Sequence, residues 1–218
     1  MSLRGVTMEE KNTKQVIFEN ALNLFAIHGY EGVSVAQIAD SVNIKAPSLY
    51  KHYKSKQEIF DTILCEVSNR MSEARNKLTI PADSEMVDKY ENIDLNLLGK
   101  MCYDLLSFYL NDEVVSKFRK MLTIERYHNT EAEKLFQKIF IDDVLELETN
   151  LFRELIQRGH FIDSDPYIMA LNFYSPLFLL LYKFDNSDYK PENLRHLINQ
   201  LVYSFSERYI KKEKKIDD

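Results

Sequence analysis

Residues 43–56 read NIKAPSLYKHYKSK: four lysines, one histidine and two tyrosines, with no acid among them. The 218-residue chain around them carries a formal net charge of -6 at pH 7, so this positive charge is local. Asn43 tolerates the left-handed backbone of tight turns at helix ends. Pro47 suits the first turn of a helix, where its missing N–H has no internal acceptor anyway. The stretch is therefore read as a short helix from Ala46 to Tyr53, with Leu49 and Tyr53 turned inward. Lys45, Ser48, Lys51 and His52 then lie on or near the opposite face, and Tyr50 lies between the two.

Upstream, Ser34 and Gln37 form a capping box, and Val35, Ile38, Ala39 and Val42 follow at helical spacing. A longer helix precedes them from Asn12 to Gly29, with Asn12 and Gln15 as its expected capping box and Gly29 as its stop. Downstream, Ser55 and Glu58 open a fourth helix whose apolar stripe is Ile59, Phe60, Ile63, Leu64, Val67 and Met71, reaching about Leu78. Two short helices joined by a tight turn, with a packed helix on each side, make the arrangement of a helix-turn-helix reader, whose second helix enters the major groove. Residues 42–57 carry four lysines and no acid, which suits a phosphate backbone even on an acidic protein.

The rest of the chain extends an all-α pattern. Five glycines and five prolines in 218 residues, with 45% hydrophobic content, favour long helices around a packed core over many short strands. The segment from Thr79 to Glu91 reads as a boundary. Amphipathic helices are expected over Leu95–Leu110 and Val114–Tyr127, and a single helix from a Thr130/Glu133 capping box to Gly159. Asp165-Pro166 starts a helix that is apolar almost all round to Phe184, interrupted by Pro176, where a kink is expected. Pro191 opens the last helix, and residues 213–218 are a charged tail. Residues 1–7 ahead of Met8 read as a leader. No stretch resembles a signal peptide, and the most apolar run, Tyr174 to Tyr182, is short of the roughly 20 residues that span a bilayer. Cys65 and Cys102 fit neither a disulfide framework nor a zinc pattern, so both read as buried thiols in a cytoplasmic protein.

The segment HGYEGVSVAQIADSVNIKAPSLYKHYKSKQEIF, residues 28–60, resembles the N-terminal signature of the TetR-type bacterial transcriptional regulators in order, spacing and residue type. The Gly-Tyr loop, the Ser-Val opening of the second helix, its Ile-Ala, the Leu-Tyr pair, Tyr53 and Lys56 carry the likeness. It implies a three-helix helix-turn-helix domain over residues 8–54 and a helical-bundle domain for effector binding and dimerisation over residues 55–212. By the resemblance, Ser34 is a phosphate-contacting cap, and Lys45, Ala46, Pro47 and Ser48 lie nearest the bases. Tyr50, Lys51, His52 and Lys56 form a phosphate clamp. The implied function is a ligand-responsive regulator, most simply a repressor released from a palindromic double-stranded DNA operator by a small apolar effector; an activator and a helical-bundle interaction protein are the alternatives. The implied partner is a second copy, paired through the helices at about 166–184 and 191–210. Recognition helices of such a dimer sit roughly 34–36 Å apart, or a multiple of that. Asn43 departs from the usual turn glycine, Lys45 from a capping Ser or Thr, and Pro47 from Gly or Ala.

Candidates for lining an effector pocket are Tyr103, Phe108, Phe118, Met121, Tyr127, Phe152, Phe173 and Tyr174, although aromatics at helical spacing are usually plain core. Asp142, Asp143, Glu146 and Glu148 read as a solvated face, because helix geometry splits them and the paired Glu-x-x-His pattern of carboxylate-bridged metals is missing. No histidine pair has metal spacing, and no nucleophile elbow or phosphate loop occurs. The expectation is therefore a protein without metal, cofactor or catalysis, and without a membrane as partner.

Overall fold

Backbone turns around the two short helices follow the local chemistry closely. Gln37 donates its N–H to the Ser34 hydroxyl (3.2 Å), and Ser34 donates its N–H to the Gln37 side chain (2.7 Å), completing both halves of the capping box. Asn43 has φ 57°, and among the described residues it is the one non-glycine at positive φ. Ile44 N–H bonds Ala39 O (3.0 Å) and Asn43 N–H bonds Asp40 O (3.0 Å), the double closure that ends a helix through a left-handed residue. Gly32 is needed for a different reason. A Cβ there would lie 2.3 Å from the His28 carbonyl oxygen, so the turn closes only on a glycine.

The computed structural model describes residues 8–77, 88, 90, 94–185 and 189–211. Its helices are α1 (Met8–His28), α2 (Val35–Ser41), α3 (Ala46–Leu49), α4 (Lys56–Lys77), α5 (Leu95–Asn111), α6 (Glu113–Glu125), α7 (Thr130–Gln137), α8 (Asp143–Gln157), α9 (Pro166–Phe184) and α10 (Pro191–Tyr209), with a π-helical segment, Lys138–Asp142, between α7 and α8. The fold is all-α; among the described residues the one β-type pairing is an isolated antiparallel bridge between Phe161 and Ile210.

Several helix ends differ from expectation. α1 begins at Met8, so Asn12 lies inside it, and Gln15 bonds Glu19 one turn on (2.9 Å). At α4, Ser55 accepts the Glu58 N–H, but the Glu58 carboxylate reaches back to the N–H of Lys54. At α7 the cap is Asn129, which accepts from Glu131 and Ala132 N–H; Glu133 is drawn off by Arg126 (2.7 Å). The expected single helix to Gly159 is broken by the π segment, though its end is as read: Gly159 has φ 86°, with His160 N–H on Leu155 O and Gly159 N–H on Ile156 O. The expected boundary over Thr79–Glu91 and the tail 213–218 lie outside the described residues, apart from Asp88 and Tyr90.

The chain packs as two units, Met1–Ser72 with Asp112–Gln137 and Glu73–Asn111 with Lys138–Asp218. In the first, α1 packs along α6, and α2 and α3 pack in turn against that base. Ile17, Ala21, Phe25, Ile38, Leu49, Ile59, Ile63, Phe118, Met121 and Leu122 are fully buried there. Asp112 caps α6 through Val114 and Val115 N–H, and its other oxygen accepts from Arg70 of α4 (2.9 Å). Partners of opposite charge raise the Arg70 pKa against the lowering effect of burial.

In the second unit α5, α9 and α10 enclose one apolar cluster, including Leu106, Leu181, Leu194 and Ile198. α8, α9 and the end of α10 enclose another, including Phe152, Leu155, Phe161 and Met169. α9 is long and apolar enough to cross a membrane by length and composition alone. Part of it faces these clusters, while Ile168 and Leu179 remain exposed. Cys65 is exposed, contrary to the expectation of two buried thiols, because position 65 falls off the apolar stripe of α4. Cys102 is partly covered.

Candidate nucleic-acid interface

The recognition element keeps its helix short and tightens at its end. Lys45 caps α3 without a side-chain bond, Pro47 occupies its first turn, and Tyr50 N–H still bonds Ala46 O (3.2 Å). Lys51 and His52 then bond three residues back, to Ser48 and Leu49, while Tyr53 N–H bonds Leu49 O (3.1 Å), so the expected helix to Tyr53 is one α-turn followed by mixed turns.

Leu49 and Tyr53 anchor it from beneath, 0% and 2% exposed. The Tyr53 hydroxyl donates to Lys14 O (3.3 Å), and the Lys14 ammonium lies 4.8 Å from its ring centroid. Burial, with a smaller contribution from Glu58, pushes the Tyr53 hydroxyl up to about 12, so it remains a neutral donor at physiological pH.

With those two side chains below, Lys45, Pro47, Tyr50 and Lys51 are exposed, and Ala46, Ser48 and His52 are half-buried beside them. Ser34 is also exposed, but its hydroxyl proton is directed at Gln37 (2.9 Å), within the capping box. These are the groups a DNA surface requires: cations and hydroxyls for phosphates, and small side chains that allow a close approach to base edges.

Lys56 of the expected clamp has internal partners. Its ammonium donates to Tyr30 O (2.9 Å) and Val33 O (3.1 Å), lies 4.1 Å from the Tyr30 ring centroid, and has Glu31 at 4.0 Å. A cation bonded to two carbonyls and an aromatic face ties the α1–α2 loop to the start of α4. Buried Glu125 of α6 holds the same loop from behind, accepting the Glu31 N–H (3.2 Å). Nothing in the local pattern of α6 marks Glu125 for this task, since its partner is a backbone group 94 residues away.

The eight aromatic and methionine candidates do not form one set. Phe118, Met121 and Tyr127 belong to the first unit, where the first two are core and Tyr127 is 77% exposed. Tyr103, Phe108, Phe152, Phe173 and Tyr174 belong to the second. There Phe152 and Phe173 stack with Phe205, as core does, and Tyr103 lies under the Arg195 guanidinium at 4.6 Å. Tyr174 differs from them. Its hydroxyl donates to the Phe140 carbonyl in the π segment (2.6 Å), and burial, with Tyr109 and Glu148 nearby, raises its pKa.

The residue missed there is Glu148. Asp142, Asp143 and Glu146 are exposed as expected of a solvated face, but Glu148 turns inward, and its Oε2 is sealed from solvent with no hydrogen-bond partner among the described residues. The backbone and stem leave the residue half-buried as a whole; the carboxyl end is what is enclosed. Burial holds this carboxyl well above the usual carboxylate range. It also pushes the neighbouring Cys102 thiol up to about 12, with Glu148 adding to the effect.

Residues 17–63 match the family model for bacterial regulatory proteins of the tetR family. The likeness to that family lies in this N-terminal segment, which holds the two short helices and the turn between them. Within that family the biofilm operon icaADBC HTH-type negative transcriptional regulator IcaR of Staphylococcus epidermidis is 49% identical over 47 residues, which are 22% of this chain and 25% of IcaR. IcaR of Staphylococcus aureus strain Newman is 48% identical over 48 residues, 22% of this chain and 26% of that one. The chain thus spans about a quarter of the length of the curated relatives it matches. A TetR family transcriptional regulator from Pseudomonas syringae pv. tomato superimposes with TM-score 0.62 at 16% identity, covering 94% of this chain and 100% of that one. AibR, solved with isovaleryl coenzyme A and operator DNA, superimposes with TM-score 0.60 at 16% identity, covering 87% and 97%. At such identities the structural likeness is one of fold: an N-terminal helix-turn-helix followed by a helical domain.

Proposed function

We propose that the protein is a repressor whose recognition element, Lys45 to His52, enters the major groove of a near-palindromic operator, and that a small effector releases it. The observation that carries this reading is the exposed Lys45, Pro47, Tyr50 and Lys51 held over buried Leu49 and Tyr53. The negative regulator IcaR, 49% identical over 47 residues, favours repression over activation. In this reading Lys45, Ala46, Pro47 and Ser48 approach the bases, while Ser34, Tyr50, Lys51 and His52 meet phosphates; Lys56 is reassigned to holding the loop. The functional division remains 8–54 for DNA and 55–212 for regulation, a boundary distinct from the packing units because packing follows contact and not role.

The effector site is proposed for the second unit, near Tyr174, and AibR's complex with a coenzyme A ester is a precedent for ligand binding on this fold. Dimerisation is proposed through α9 and α10, whose exposed Ile168, Leu179, Tyr182 and Tyr203 offer an apolar face to a second copy. α4 is one continuous helix, Lys56–Lys77, and is proposed as the element through which the effector acts on DNA binding. A coupling of about 1–3 kcal/mol changes operator affinity roughly 5- to 150-fold. The proposed location is the cytoplasm, where the operator is.

Selection of bound DNA from a random library tests the reading. A palindromic consensus is expected, bound with an affinity that falls steeply with salt. A consensus-free library, or binding indifferent to salt, rejects it.

A further inference from the structure

Glu148 raises a question that the DNA reading does not absorb. A buried polar atom without a partner is uncommon in native proteins and calls for a specific explanation. The surroundings of Glu148 narrow that explanation. Its carboxyl shares its part of the second unit with the Cys102 thiol of α5 and the Tyr174 phenol of α9, and Tyr109 of α5 and Tyr182 of α9 join them through Tyr174. These titratable neighbours are one thiol and three phenols, and none brings a positive charge. The rings continue outward: Tyr174 stacks with Phe178, Phe178 with Tyr182, and Tyr109 with Phe140.

A second observation lies opposite. The π segment Lys138–Asp142 interrupts the helix, and its Phe140 carbonyl accepts the Tyr174 hydroxyl at 2.6 Å. Single turns of π-helix inside longer helices occur frequently at functional sites. Tyr174 has thereby placed its proton on the backbone, so it does not serve Glu148 as a donor.

We propose that Glu148 is the recognition group of the effector site, and that the effector is an organic ammonium ion with an apolar, aromatic-compatible body. This deepens the reading of the second unit as the effector-binding part and rests on it. An ammonium N–H completes the orphaned Oε2, and an aromatic-rich neighbourhood around Tyr174 suits the same cation. An anion has no cation in the cluster to meet it, and burying an unpaired charge is costly. A neutral alcohol supplies a donor without the charge-assisted strength. Because burial favours the protonated acid, an incoming ammonium ion displaces that proton to solvent: one N–H···O bond forms, one O–H bond breaks, and the site remains neutral.

The test is isothermal titration calorimetry on the purified full-length protein with phenylalkylammonium ions of increasing chain length, each paired with its phenylalkanol and phenylalkanoate. At least one ammonium ion is expected to bind roughly tenfold or more tighter than its alcohol twin, since hydrogen bonds to charged groups exceed neutral ones by that order. Its affinity is expected to rise with pH, and calorimetry in buffers of different ionisation enthalpy is expected to show about one proton released per ion bound. Glu148→Gln is expected to remove the preference and the proton release, leaving the alcohol affinity unchanged. If that variant fails to fold, the pH dependence and proton release of the wild type decide the matter alone. Equal binding of ammonium and alcohol, preference for the carboxylate, no proton release, or no ammonium binding up to millimolar concentration overturns the proposal. Operator release is read separately. Ammonium binding without DNA release leaves Glu148 assigned and rejects the release mechanism; release by a neutral or anionic ligand alone does the opposite.

Discussion

Lys51 and Glu148 place ionisable groups in opposite ways. The recognition element keeps its cation in water and spends its apolar residues, Leu49 and Tyr53, on holding the cation's helix in place. The second unit encloses a carboxyl, where burial favours its protonated form. An exposed cation is suited to a large, highly charged partner that pairs with it over a wide surface. An enclosed acid is suited to a small ligand that brings its own charge. Lys56 stands between these cases, a cation with a partly exposed side chain whose bonds are all internal.

The largest effect is expected from Leu49→Ala, which removes the anchor under the exposed face. Deleting a fully buried leucine costs about 2–5 kcal/mol, measurable by urea unfolding, and operator binding is expected to fall at every salt concentration. An unchanged unfolding midpoint would remove the distinction between anchor and contact on which the comparison rests. Gly32→Ala comes next: a Cβ 2.3 Å from the His28 carbonyl oxygen forces the backbone to shift, at a cost of about 1–3 kcal/mol.

Glu148 supplies a pH signature. Its folded-state pKa is raised, so its contribution to stability is fully present below the unfolded carboxyl value of about 4.5 and is lost as pH rises toward the folded value. Urea unfolding from pH 4 to pH 8 is expected to show a decline in the wild type that Glu148→Gln flattens. Parallel profiles for the two proteins would show that the carboxyl is not enclosed.

The smallest effects sharpen the contrast between the two lysines. Lys56→Ala is expected to cost about 1 kcal/mol through the lost bonds to Tyr30 and Val33 and to leave the salt slope of DNA binding nearly unchanged. Lys51→Ala is expected to leave stability within about 0.5 kcal/mol and to reduce the slope by about one unit. An identical slope change in both variants would return Lys56 to the phosphate clamp.

The boundaries of α2 and the turn into α3 were legible in the sequence because the groups that make them lie within six residues of one another. Ser34 and Gln37 close the box, and Asn43 takes the left-handed turn, through local bonds that depend little on the rest of the chain. The helices α5 and α10 were legible for a related reason: an apolar face that must be buried recurs at the period of the helix. The cap of α7 was misread because Arg126 competes for Glu133 from outside that helix. The π segment was missed because an inserted residue in the helical ladder leaves no mark in hydrophobic spacing.

The direction of a charge is different in kind. Four lysines between residues 42 and 57 look alike in the sequence, and Glu148 looks like Glu146. Composition and spacing determined an all-α chain with an N-terminal helix-turn-helix, since capping and periodicity are local properties, and residues 28–60 carried its resemblance to the TetR-type signature. Only the tertiary structure decided that Lys51 faces water while Lys56 bonds the α1–α2 loop, and that Glu146 is exposed while the Glu148 carboxyl is enclosed. Which face of a helix is covered depends on neighbours distant in sequence, and the free energy of a charge depends on that covering more than on the residue that carries it.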